Sequence, residues 1–158
     1  MEYTEIERKF LVRGEFKAAA VGAYRISQCY ISKEPGRSVR VRIRDGKAFL
    51  TIKGPASDGG MKRFEWEREI PVEDAEALMQ LRVSSVVEKV RYLVPFGGHT
   101  FEVDEFLGDN EGLVMAEVEL GAVDEAFERP SWLGEEVTGL PQYYNSSLAR
   151  RPYKDWDR

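Results

Sequence analysis

The sequence predicts a mainly β protein of the α+β kind: an antiparallel sheet of about eight strands, joined mostly by hairpins, with two or three helices. Three observations lead there. Charged and apolar residues alternate with a period of two in segment after segment, and successive side chains of a strand point to opposite faces. Short turn signals such as Asp45-Gly46 and Gly97-Gly98 separate those segments. Helical spacing is confined to short stretches. A sheet of this size tends to close or split, because open edges invite aggregation.

Taken in order, residues 1–12 (MEYTEIERKFLV) read as a strand with Glu5, Glu7 and Lys9 on one face. Residues 14–21 are alanine-rich and read as a short helix. Residues 24–32 are rich in aromatic and β-branched types and form a second strand, followed by a Pro-Gly turn at 33–37. Residues 38–44 (SVRVRIR) place Val39, Val41 and Ile43 opposite Arg40, Arg42 and Arg44. Asp45-Gly46 turns the chain into residues 47–53, where Phe49, Thr51 and Lys53 share a face. A flexible loop is expected at 54–60. In residues 62–70 (KRFEWEREI), Arg63, Glu65, Glu67 and Glu69 oppose Phe64, Trp66 and Ile70, which places Trp66 under a covering helix. Residues 71–82 have helical spacing, with acids crowding the first turn where the helix dipole favours them. Residues 86–96 are a strand carrying Lys89 and Arg91; residues 99–107 follow with Glu102 and Asp104. The turn at 108–112 (GDNEG) lacks calcium-loop spacing. Residues 113–120 present Glu117 and Glu119. Residues 124–158 are less regular, with a short helix at 143–149.

The chain's 158 residues fit one domain. With 23 basic and 28 acidic residues, a net charge of −5 argues against general nucleic-acid binding, which needs surplus Lys and Arg on phosphates. The single cysteine, Cys29, fits a reducing compartment and reads as a small buried hydrophobe. No apolar leader or membrane-length apolar run is present, so the expected location is cytoplasmic, without a membrane partner. The sole histidine, His99, beside a Gly-Gly turn, is expected on the surface.

The charged rows are the functional signal. One reading places them outside, in water, on a sheet closed over its apolar face. Against it, these rows are almost purely Glu, Asp, Arg and Lys, sorted by strand into acidic and basic sets, and amphipathic helices are available to cover the apolar rows. A dense mixed-charge lumen is costly to desolvate unless it is wet or holds a charged ligand. The sorting points to a polyanion with a divalent metal: Arg and Lys on phosphate oxygens, carboxylates on Mg²⁺ or Mn²⁺.

With these residues in view, Glu5-x-Glu7-x-Lys9 resembles the ExExK signature of the CYTH superfamily, the triphosphate tunnel metalloenzymes. Arg40-x-Arg42, Lys53, Glu65-x-Glu67, Lys89-x-Arg91, Glu102-x-Asp104 and Glu117-x-Glu119 follow in that family's order, nearly the whole chain through. The resemblance implies a closed eight-stranded antiparallel barrel over residues 1–158. Its charged lumen would bind triphosphate and metal, and the helix at 143–149 would plug one end. It implies metal-dependent hydrolysis of tripolyphosphate. Lys9, Arg40, Arg42, Lys53, Arg63, Lys89 and Arg91 would bind substrate. Glu5, Glu7, Glu65, Glu67, Glu102, Asp104, Glu117 and Glu119 form the pool for Mg²⁺ or Mn²⁺. Lys89 is the candidate base for the attacking water, with crowded cations lowering its pKa, and Tyr30 could orient that water. Within the family, thiamine triphosphatase and adenylate cyclase activities stay open. The chain lacks the His-Phe pair found upstream of ExExK in cyclase-like members. A non-catalytic polyphosphate- or nucleotide-binding module is the alternative outside enzymes. A homodimer is compatible with the sequence.

Overall fold

The computed structural model describes residues 3–157; the expected strand start at Met1 lies outside them. Nine strands run β1 (Thr4–Val12), β2 (Gly22–Glu34), β3 (Arg37–Arg44), β4 (Lys47–Ser57), β5 (Lys62–Ile70), β6 (Val87–Phe96), β7 (His99–Phe106), β8 (Val114–Glu119) and β9 (Leu133–Glu136). The helices are α1 (Val72–Met79) and α2 (Asn145–Leu148). Neighbours follow the order β5-β4-β3-β2-β6-β7-β8-β1, and β5 pairs back onto β1. Eight antiparallel strands therefore close into a barrel. The closing seam pairs Thr4 with Phe64, Glu5 with Arg63 and Ile6 with Lys62. β9 adds to the edge of β1 that carries β5, beyond the β5 pairing, opposite Phe10 and Val12 with a register shift.

Local sequence explains most of the turns. Asp45 and Gly46 have φ of 53° and 75°, the doubly positive backbone of a two-residue hairpin matched to strand twist. Alternation dictates the faces. The outer apolar rows pack in two clusters. Cys29, Val41 and Ala48 lie beneath Ala75 and the rest of α1. Phe10, Val94, Phe101, Val103, Ala116 and Val118 pack against Phe16 and Trp132 of the connecting segments and Leu133 of β9. A third cluster joins Tyr30, Val87, Phe106 and Met115 to Leu148 of α2 and to Ala149.

Four local expectations change. Residues 14–21 give only a 3₁₀ turn at Lys17–Ala19, because β2 already begins at Gly22 and so short a segment cannot repay helix nucleation. The loop expected at 54–60 is largely strand: β4 continues to Ser57 past a register shift between Lys53 and Ala56. Trp66 is covered by the Arg68 guanidinium, 4.9 Å from its ring centroid, while α1 packs over β2, β3 and β4 instead. His99 is tied down: Nε2 lies 2.6 Å from Glu125 Oε2 and the ring stacks edge-on with Phe127. No described helix is long and apolar enough to cross a membrane.

Candidate active site

The charged rows face inward. β1 supplies Glu5, Glu7 and Lys9 to the lumen, β3 supplies Arg40, Arg42 and Arg44, and β4 supplies Lys53. β5 brings Arg63, Glu65 and Glu67; β6 brings Lys89 and Arg91; β7 brings Glu102; β8 brings Glu117 and Glu119. Tyr30 also lines the cavity. Strand period alone produces this convergence, since each residue is two positions from its row neighbour.

Carboxylates crowd the β1–β8 wall. Glu7 sits opposite Glu119, and Glu117 lies opposite both Lys9 and Glu102. Like charges directly opposite are unfavourable. Burial, with Glu117 and Glu5 close by, pushes the Glu7 carboxyl well above its ordinary range. Burial also resists ionisation of Glu117, yet Lys9, a hydrogen bond with Glu7, Arg91 and Lys89 hold it well below. Glu119 is raised by burial and by Glu5 and Glu102. Lys53 bridges this wall to β5, with Nζ 2.9 Å from Glu5 Oε1 and 3.4 Å from Glu65 Oε2. Burial opposes the charge on Lys53, but Glu5 and Glu7 hold its pKa above the usual lysine value. Burial outweighs Lys53 at Glu65, whose pKa stands at about 7.

The opposite wall is cationic. Arg40 Nη2 donates to Thr51 Oγ1 at 3.2 Å and reaches Glu67 at 3.5 Å, whereas its buried Nε has no hydrogen-bond partner among the described residues. A buried N–H without an acceptor is costly, and an anion in the lumen would relieve it. Arg91 makes a bidentate pair with Asp104 at 2.8 and 2.9 Å and reaches Glu102 at 3.3 Å. Lys89 is fully buried, with Nζ 2.7 Å from Asp104 Oδ2 and 2.9 Å from Asn145 Oδ1. Burial, then the Arg91 and Arg42 guanidiniums, draw its pKa down to about 7 against the pull of Asp104 and Glu117.

Asp104 stands apart from the other candidate metal ligands. It is 2% exposed, and both its oxygens are taken by Arg91 and Lys89. The remaining acids present an all-oxygen donor set suited to a hard divalent cation. Among the described residues no three acidic, His or Cys side chains form a ready-made cage. An ion held by one or two carboxylates and completed by substrate phosphates needs no such cage. The crowded Glu5, Glu7 and Glu117 gain from a cation between them, so these residues fit the group.

Several lumen residues were not among the expected site residues. Arg44 is held between Tyr24 and Phe49, its Cζ 5.3 and 4.5 Å from their ring centroids. The C-terminal segment adds Thr138, Gly139, Tyr144, Asn145 and Ser146. Lys9 Nζ donates to the Tyr143 carbonyl at 3.2 Å, and the Tyr144 ring lies beneath Lys9 and Arg63. Gly60 and Gly139 pack so closely that a methyl on either would overlap the other's loop. Arg44 was legible as the third member of its row; the tail residues carry no periodic signal.

Residues 3–153 match the CYTH domain model. This chain belongs to the CYTH family. It is 48% identical over 155 residues to the inorganic triphosphatase of Acetivibrio thermocellus, covering 96% of this chain and 97% of that one. Against the inorganic triphosphatase of Nitrosomonas europaea the identity is 39% over 151 residues, covering 92% and 97%. The crystal structure of the inorganic triphosphatase NE1496 superimposes with a TM-score of 0.66 at 34% identity, covering 92% of this chain and 93% of that one. This CYTH chain carries its charged doublets on the inner wall of a closed barrel.

Proposed function

We propose that this protein is a metal-dependent inorganic triphosphatase, hydrolysing tripolyphosphate to diphosphate and phosphate. The observation that carries the reading is a closed lumen in which a cationic wall, Arg40, Arg42, Lys89 and Arg91, faces a crowded carboxylate wall, Glu5, Glu7, Glu117 and Glu119. The names of its CYTH relatives support it.

Phosphoryl transfer is mostly positioning and charge neutralisation. Lys9, Arg40, Arg42, Lys53, Arg63, Lys89 and Arg91 grip the phosphate oxygens, the guanidiniums in bidentate fashion where they can. Glu5, Glu7, Glu117 and Glu119, backed by Glu65, Glu67 and Glu102, would hold Mg²⁺ or Mn²⁺. When bound, that ion supplies further charge neutralisation on the phosphate oxygens. Asp104 fixes Arg91 and Lys89. Lys89, with a pKa of about 7, is in part a neutral amine at neutral pH and takes the proton of the attacking water. The water oxygen bonds to the terminal phosphorus, the bridging P–O bond breaks, and diphosphate departs. Tyr30, 5% exposed at the lumen wall, orients that water.

The surroundings favour an inorganic substrate over thiamine triphosphate or ATP. Trp132 is buried in the outer core, Trp66 lies on the outer face of β5, and the aromatic faces of Tyr24 and Phe49 in the lumen are occupied by Arg44. No nucleic-acid or membrane partner and a cytoplasmic site of action belong to the same proposal, the latter resting on the free, buried Cys29. Phosphate release from tripolyphosphate, ATP and thiamine triphosphate, each with Mg²⁺, Mn²⁺ or chelator, tests it. Tripolyphosphate should be preferred and chelator should abolish release. Binding without release would make the protein a polyphosphate-binding module, and release unaffected by chelator would remove the metal.

A further inference from the structure

We propose that Asn145 and Gln28 are positioning residues that fix Lys89 and Arg42 in the lumen, so that the C-terminal segment takes part in turnover. The inference rests on the triphosphatase reading above and deepens it.

The atoms leave little freedom in how this network runs. Asn145 Oδ1 lies 2.9 Å from Lys89 Nζ and 3.0 Å from Gln28 Nε2, and Gln28 Oε1 lies 2.8 Å from Arg42 Nε. A guanidinium only donates. The Gln28 atom facing Arg42 must therefore be its oxygen. Gln28 is then left with its amide to give to Asn145, whose facing atom must be its oxygen, and that same oxygen faces Lys89. Both side-chain amides are thus oriented through Arg42. Gln28 and Lys89 are fully buried and Arg42 nearly so, where hydrogen-bond geometry is enforced by the cost of leaving a group unpaired.

Lysine is a flexible stem ending in three equivalent donors. Asp104 and Asn145 take two of them, and the ammonium borders the cavity. Removing Asn145 would let Nζ swing toward Asp104. Gln28 acts likewise on Arg42, engaging Nε and leaving the terminal nitrogens for an anion. Asn145 itself is held by its neighbours: Lys9 donates to the Tyr143 carbonyl, and Gly139 is packed against the loop at Gly60.

The test compares Asn145→Leu, close in shape but without an acceptor, in the wild-type and Lys89→Ala backgrounds of the full chain. Turnover of tripolyphosphate with Mg²⁺ and its affinity by calorimetry are both read. In the wild-type background N145L should lower kcat by about 10- to 100-fold, the scale of a small misplacement at a reacting centre, with KM changed far less. In the Lys89→Ala background it should change neither quantity further, because partners in one network are not additive. Asn145→Ala serves the same comparison if N145L does not fold. Equal losses in both backgrounds would mean a packing role, and unchanged kcat in wild type would mean none; either overturns the proposal. A wild type that releases no phosphate would fail the triphosphatase reading instead. The NMR signal of the Lys89 side-chain nitrogen, compared between wild type and N145L, then decides the positioning role: an unmoved signal overturns it.

Discussion

Arg91 grips Asp104 through two parallel hydrogen bonds, Nε to Oδ1 at 2.8 Å and Nη2 to Oδ2 at 2.9 Å, with both side chains almost wholly out of water. Lys89 shares the same carboxylate. Asp104 is therefore the counter-ion of two buried cations, and its loss strands them both. Breaking a buried pair from one side costs about 3–5 kcal/mol. Asp104→Asn should lower unfolding free energy by an amount in that range in a urea titration at neutral pH. A midpoint equal to wild type would show that the cations find other partners.

Lys89 sets an expected pH dependence. A base must be neutral to accept a proton, and burial with Arg91 and Arg42 nearby brings its pKa to about 7. Turnover at saturating metal should rise through that value and level off above it. Lys89→Arg keeps the charge but stays protonated, so its activity should fall by about 100-fold or more and lose the neutral limb. A retained limb in K89R would assign the titration to another group.

Glu65 gives a stability prediction with a definite sign. Its pKa is about 7 when folded against an ordinary 4.5. The folded chain thus holds this proton more tightly. Its stabilising contribution is complete below about 4.5 and is lost as pH climbs through about 7. Glu65→Gln should consequently gain stability relative to wild type between those pH values and keep the advantage at pH 8, measured by thermal unfolding in chelator. No gain at pH 8 over pH 4 would contradict the assignment.

The carboxylate wall should answer to divalent cation. Burial, with Glu117 and Glu5 close by, raises the Glu7 carboxyl well above its ordinary range. Glu7→Gln removes a proton-hungry buried acid, so chelated protein should unfold no earlier than wild type. The same variant should lose most of the stabilisation that added Mn²⁺ confers on wild type, and most activity with it. Full Mn²⁺ stabilisation in E7Q would take Glu7 out of the ion site.

The barrel and its lumen were legible because both follow from one periodicity. Once Glu5, Glu7 and Lys9 are in a strand, their common face is fixed, and the ordered doublets downstream must meet it. The period says nothing about lone neutral residues. Gln28 lies in a strand read for its aromatics, and Asn145 sits in an irregular tail, so their meeting across 117 positions leaves no local trace. β9 is four residues, LGEE, with adjacent acids and no alternation; only its pairing with Phe10 and Val12 makes it a strand. The helix expected at 14–21 failed for a related reason. Alanine propensity is a weak preference, and the room available before Gly22 overrode it.

The seam between β1 and its neighbours bears on how the molecule is made. β1 finds its β8 partner only when more than a hundred further residues have been synthesised. Until then Glu7 and Lys9 lack the neighbours Glu119 and Glu117. A chain that ends before β8 therefore carries the arginines of β3 without those two acids. Chain-length dependence of this kind slows folding through distant contacts. It also leaves the lumen open along one side until β8 lies between β7 and β1.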